Sequence, residues 1–479
     1  MTPAISAARQ APAGASFLEK VGFAALAGFV YLFISRVLDA SGSLSRLHLP
    51  FALALVAGAA AVLTGRVVAG LANRIVFWYA VLTAIFVAGV PFAFWRGGSF
   101  QVLRDSWLDS LLTVLLVTSL AITYRECKTL LNVIAVASFT AAVLGLFFHG
   151  ADTAEGRLVL VGGRFGNPND FALVLLIGLP FIWRIYDGGG RPGLIRRLAA
   201  LAAGFVTAIG LLKTGSRTGA YALGFAAILI LLRVPLITKI RVMALGVAII
   251  VLALLLMPAH LRSRYLTFAT ADQEGTVSQT ERTAVSFAAS SARDRQVLLR
   301  ESLMVTLRHP VFGIGLGNFA AYLAQAGGGP DTLSNAWVGT HNTYTQISSE
   351  AGIPALIVFI VILVSSWRSL TRTIRSTRGD PRPLARDIHR TAHAMQICLG
   401  MFVCSMMFFH FAYDMLPHLL VVLTLVLSRT SAAALAELGP APAGAAIGFA
   451  PSLARPATPL GRRPPTAVQA RSARGIPGR

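Results

Sequence analysis

The chain has 479 residues, of which 55% are hydrophobic and 13% charged, with a mean hydropathy of +0.68. Soluble domains carry about 25% charged residues, so the composition excludes an ordinary soluble protein and indicates an integral membrane one. The net charge of +22 is not read as a nucleic-acid footprint, because basic residues gather in cytoplasmic connections and tails that face anionic lipid. Cys127, Cys398 and Cys404 lie in or beside apolar runs with neither disulfide nor zinc spacing, and read as small packing residues.

In chain order, residues 1–16 are rich in Ala, Pro and Ser and are expected to be a disordered cytoplasmic start. At about 17–25 apolar residues per span, nine candidate spans fill 17–257: Phe17–Leu38, Leu49–Thr64, Ile75–Trp95, Trp107–Thr123, Cys127–His149, Phe171–Tyr186, Leu198–Leu212, Thr218–Leu232 and Ile240–Met257. A polar stretch over 258–343 interrupts them. Three more, Tyr344–Trp367, His393–Tyr413 and Pro417–Leu435, occupy 344–435. The basic tail over 436–479 has a disordered composition. The expected fold is an all-α integral membrane protein of about twelve transmembrane helices with a large, partly helical periplasmic loop.

Basic residues set the orientation. Alternate connections carry Arg66 and Arg74, Arg125 and Lys128, Arg184 to Arg197, Arg233 to Arg241, and Arg368 to Arg390, while the intervening connections are poorer. This asymmetry puts both termini in the cytoplasm and the large loop outside. The chain is thus expected to be a multi-pass membrane protein whose large loop faces the periplasm or cell exterior.

Four stretches on the outer side have functional chemistry. Gly163 to Phe171 contains Arg164, Asn167 and Asn169; Asn-Pro-Asn-Asp is a helix-starting turn, with Asn169 or Asp170 as cap, or a polar rim for a sugar or phosphate. Lys213 to Gly219 sets Lys213 and Arg217 among Gly and hydroxyl residues, which suits a phosphate; the order of a P-loop is absent. Ala292 to Phe319 reads as an amphipathic helix with Val297, Leu298, Met304, Val305 and Leu307 on its apolar positions, ended by His309-Pro310. After it, Gly313-X-Gly315-X-Gly317 makes a tight reversal. His341-Asn342-Thr343-Tyr344, with Glu350 nine positions on, heads a span, and His is the side chain best suited to take a proton near neutral pH. Around the last hairpin, His410 and Asp414 are placed one helical turn apart as an interfacial pair, with His418 nearby.

Taken in this order, five pieces resemble the O-antigen ligase/polymerase family of bacterial inner-membrane glycosyltransferases. They are Gly166-Asn167-Pro168-Asn169-Asp170, Thr214-Gly215-Ser216-Arg217-Thr218-Gly219, Arg295-X-X-X-Leu299, His309 to Phe319, and His341-Asn342-Thr343-Tyr344 with Glu350-Ala351-Gly352. The resemblance covers roughly Arg164 to the last span. It implies transfer of a glycan from undecaprenyl diphosphate, without metal or nucleotide sugar, to lipid A-core or to another lipid-linked repeat unit. It also implies membrane lipids, and other polysaccharide-assembly proteins, as surroundings. Under it Arg217 and Arg295 bind the diphosphate, with Lys213, Arg164, Asn167, Asn169, Asn342, Tyr344 and Glu350 around the substrate, and His341 is the general base. Leu299 stands where many relatives carry Trp, and Arg293 competes for the role given to Arg295. The alternative class is a transporter or flippase of an anionic or lipid-linked substrate.

Overall fold

The computed structural model describes residues 16–39, 46–148, 150–153, 156–160, 166–187, 193–256, 261–262, 265, 279–325 and 339–439. Its first half contains α1 (Phe17–Ser35), α2 (Leu49–Leu63), α3 (Arg66–Leu71), α4 (Arg74–Gly89), α5 (Arg96–Val102), α6 (Leu108–Leu120) and α7 (Tyr124–Val143). A hairpin of β1 (Gly150–Asp152) and β2 (Leu158–Leu160) follows. Then come α8 (Pro168–Asp187), α9 (Leu194–Lys213), α10 (Arg217–Leu231), α11 (Leu236–Leu256), α12 (Gln279–Arg308), α13 (Phe319–Gln325), α14 (Thr343–Ser376), α15 (Pro383–Ser405) and α16 (Met415–Glu437).

A helix stands at the place of each expected span, and among the described residues seven are long and apolar enough to cross a membrane: α1, α4, α7 with the turn after it, α8, α9, α14 and α16. The apolar helices α2 and α10 are shorter. Hydropathy misplaced several ends. α14 continues past Trp367 to Ser376, and α15 begins at Pro383 and stops at Ser405, where His393 to Tyr413 was expected. Helical backbone does not end where apolar composition ends. The hairpin departs from an all-helical chain, with Gly150 opposite Leu160 in an antiparallel pair too short for a period-two pattern. The expected disordered ends lie outside the described residues except for Ser16 and 436–439, and so do 266–278 and 326–338 of the large loop.

Local chemistry explains where the helices begin. Ser16 and Glu19 form a capping box on α1, and Thr123 and Glu126 form another on α7. α8 starts on Pro168, whose missing N–H costs nothing in a first turn. Two helices form the centre of the bundle. α8 is buried through most of Phe171 to Ile182 and packs on α7, α9 and α15, while α16 packs on α6, α7, α14 and α15. Outward residues such as Leu55, Phe77 and Val251 are exposed and apolar, as lipid-facing positions require.

α14 is broken. Gly352 leaves the helical region at φ 86°, ψ 171°, and Pro354 follows. A break inside a membrane helix frees backbone groups that need other partners. Here the loop after α12 supplies them. Ile314 N–H donates to Ser349 O at 2.9 Å and Gly315 N–H to Glu350 O at 2.9 Å, while Pro310 O accepts from Ile353 N–H at 2.8 Å. The expected reversal is present, with positive φ at Gly313, Gly315 and Gly317. A Cβ on Gly352 would sit 2.1 Å from Val311 O. The loop's other side is fastened as well: Phe94 N–H donates to Ile314 O, and the Asn318 side-chain amide donates to Trp95 O and Ile314 O.

Candidate active site

Asn342 caps α14, its Oδ1 accepting from Tyr344 N–H at 2.9 Å and Thr345 N–H at 3.1 Å. The connection from α15 to α16 wraps this first turn: Thr343 N–H donates to Met406 O, Thr343 Oγ1–H to Phe409 O, and Ala412 N–H to Gln346 Oε1. Tyr344 O–H donates to Val403 O at 2.8 Å. With its neighbours fixed, His341 is held at φ 49°, a left-handed conformation that costs a non-glycine residue of order 1–3 kcal/mol and persists where surroundings over-determine it. Its ring meets His410 edge-on at 5.0 Å.

The placing of Arg295 follows from helix geometry. α12 and α14 run side by side in the same direction, because Thr306 Oγ1 lies 2.8 Å from Ser348 Oγ and Pro310 bonds Ile353. Arg295 lies eleven residues before Thr306, about 16 Å along α12, and His341 seven before Ser348, about 10 Å, a difference that a long arginine side chain can span. Arg295 shares a stripe with Leu298, Ser302 and Thr306, and all three of these are buried on the bundle. Burial, then His410, then Arg295 push the His341 pKa down from 6.5 to about 4. The ring is therefore neutral at pH 7. The side chain of Arg293 lies outside the described residues. Of the expected amphipathic face, Leu298 and Val305 are buried but Met304 and Leu307 are exposed, so α12 packs on the bundle by a narrower stripe than the pattern suggested.

Arg217 opens α10, with Ser216 as its cap accepting from Gly219 N–H. One turn on, Tyr221 stacks on Phe408 at 5.4 Å. The same 406–412 connection that wraps the base of His341 thus borders the first turns of α10. Behind Arg217, Asn169 Oδ1 accepts from Ser216 Oγ–H at 2.9 Å and from the Arg157 guanidinium at 3.0 Å, and Arg157 Nε–H donates to Thr214 O at 2.9 Å. Arg157 is buried. The sequence reading passed over this residue, because no local motif marks it; its role exists only once the hairpin folds back over α8 and α9.

The remaining expected residues divide clearly. Lys213 is exposed at the end of α9. Asn167 is exposed and supplies the turn at α8, its Oδ1 accepting from Asn169 N–H, a task expected of Asn169 or Asp170. Arg164 lies outside the described residues. Glu350 is buried, and its carboxylate accepts from Gly317 N–H at 2.9 Å, Phe319 N–H at 3.4 Å and Tyr413 O–H at 2.9 Å. Burial and the adjacent carboxylate push the Tyr413 phenol well above its ordinary pKa, which keeps it a donor. Glu350 thus holds the glycine loop to the broken helix. The helical spacing assumed for His410 and Asp414 does not exist, because 409–414 turns between α15 and α16. His418 is buried deeper; its Nε2 donates to Ala412 O, and in the neutral ring Nδ1 accepts from Tyr79 O–H at 2.9 Å.

These features define a multi-pass helical membrane protein whose polar site is gathered at one end around a broken helix. Residues 202–360 match the family model described as O-antigen ligase. The matched segment takes in Arg217, α12, the glycine loop, His341 and the break at Gly352, and over that third of its length the chain is similar to the O-antigen ligase/polymerase family. A search of the curated proteins finds no match.

Proposed function

We propose that the protein is a periplasmic-facing glycosyltransferase of the inner membrane, which moves a glycan from undecaprenyl diphosphate to a sugar hydroxyl on a lipid-linked repeat unit or on lipid A-core. The acceptor oxygen forms a bond to the donor's anomeric carbon as the bond from that carbon to the diphosphate oxygen breaks. The acceptor's proton passes to His341, and the diphosphate leaves with the electron pair. Arg217 and Arg295 stabilise the charge that develops on it. Asn342, Tyr344 and Glu350 position this machinery through the contacts already described, and Asn169 with Arg157 supports the loop that presents Arg217.

The observation that carries this reading is a neutral His341 held beside His410 and within the field of Arg295. A ring at about 4 is available but weakly basic. The donor's diphosphate, placed against Arg295, offsets the cationic field and raises the ring's basicity when substrate is bound. General-base catalysis contributes about 10²–10⁴-fold.

The test uses the purified full-length protein in liposomes with an undecaprenyl-diphosphate-linked glycan and an acceptor. Product mass and released undecaprenyl diphosphate are followed. His341→Ala and Arg217→Ala are each expected to lower transfer by about 100-fold or more, with unchanged membrane insertion. Transport of the donor across the bilayer with its glycan linkage intact would replace this reading with that of a transporter.

A further inference from the structure

At the end of the bundle remote from His341, a cleft of about 1130 Å³ opens between α4, α14 and α16. Its position follows from chain direction. α14 runs from its cap at Asn342 to Ser376, and α4 starts at Arg74 and ends at Gly89, beside Phe312 of the glycine loop. Arg74 and the last turns of α14 therefore lie together, away from the catalytic end.

The lining is graded. Ile75, Trp78, Val361 and Leu425 make an apolar wall, while the rim carries Arg74, Arg368, Arg372 and Arg375. The last three fall at i, i+4 and i+7, which puts them on one helix face. Arg429 lines the wall from α16, its guanidinium donating to Thr118 O at 3.2 Å. Among the described residues no carboxylate lines the cleft. None of the four rim arginines has a side-chain hydrogen bond or ion pair among them.

Four unpaired guanidiniums around one concavity repel each other unless an anion joins them, and planar guanidiniums bind phosphate oxygens in pairs. Arginines scattered to satisfy orientation alone need no shared cleft and no apolar wall beneath it. We infer that this cleft binds a phosphate-bearing anion, and the apolar wall below the rim favours an anionic phospholipid whose acyl chain lies along Trp78 and Val361.

The probe is the full-length protein in nanodiscs of phosphatidylcholine and phosphatidylglycerol, released and weighed by native mass spectrometry. Wild type is expected to retain phosphatidylglycerol in preference to phosphatidylcholine. The Arg368→Gln/Arg372→Gln/Arg375→Gln variant should lose that retention by about tenfold or more. Arg378→Gln/Arg386→Gln removes exposed charge outside the cleft and should retain the lipid as wild type does. Melting temperatures of both variants establish that they fold. Added inorganic diphosphate separates the sources. Lipid retained in its presence supports a headgroup ligand, and displacement by it in the wild type alone supports the same site filled by a soluble phosphate. Equal retention of the two lipids by wild type, or equal loss in both variants, overturns the inference.

Discussion

Between Thr343 and Ala351, α14 has its polar side chains bonded within the protein: Thr343 and Gln346 to the 409–412 connection, Ser348 to α12, and Glu350 to the glycine loop. Beyond Gly352 the same helix ends on Arg368, Arg372 and Arg375, which have no partner among the described residues. The first segment is a scaffold whose geometry must not change, because His341 sits at its head. The second presents charge to something outside the protein. A buried polar group is stable only when satisfied, whereas an exposed arginine is stable in water. The two segments therefore respond to substitution in opposite ways.

The largest effect is expected at Glu350. Glu350→Ala leaves Gly317 N–H, Phe319 N–H and Tyr413 O–H without their acceptor, at about 1–3 kcal/mol for each buried donor. Thermal unfolding in detergent should show a large fall, with Glu350→Gln milder because it keeps one carbonyl acceptor. Equal melting temperatures for Glu350→Ala and wild type would show that the loop does not depend on this contact.

Gly352→Ala follows. Its φ of 86° strains any L-residue, and the new Cβ meets Val311 O at 2.1 Å, so the loop must move off the helix. We expect a loss of about 1–3 kcal/mol, with increased proteolysis between 309 and 318. Asn342→Ala removes one cap, at about 1 kcal/mol. It should lower transfer more than stability, because the cap also fixes the residue next to His341. A variant with normal transfer and lowered melting temperature would confine Asn342 to the helix.

How much of this was legible depended on whether the signal was local. The three glycines at 313, 315 and 317 require a reversal whatever surrounds them. The five ordered pieces carried the family. Arg157, by contrast, acts through Asn169 and Thr214, which lie 12 and 57 positions away in the chain. Glu350 was read as a substrate contact because it follows His341 in a motif. Its burial and its bonds to Gly317, Phe319 and Tyr413 appear only when the loop is folded into the break. His410 was assigned a helical neighbour by spacing, but the chain there is not helical and the ring lies against His341.

The central claim is that His341, neutral at the head of the fixed segment, takes the acceptor's proton. The free group near 4 is unprotonated above that pH, so kcat/KM should hold as pH falls through 6.5 and drop only toward about 4. Folding has the matching sign: the unfolded chain takes up a proton on His341 near 6.5 and the folded one near 4, so stability is lost between these values on acidification. The kcat limb should lie higher, because bound diphosphate raises the ring's basicity. The pH dependence of kcat/KM and kcat for glycan transfer, measured in wild type and in His341→Ala, tests the claim most directly. The account predicts an acid limb near 4–5 in kcat/KM, a higher one in kcat, and loss of about 100-fold or more in the variant. A limb at 6.5 in kcat/KM, or a variant with the wild-type rate and profile, would contradict it.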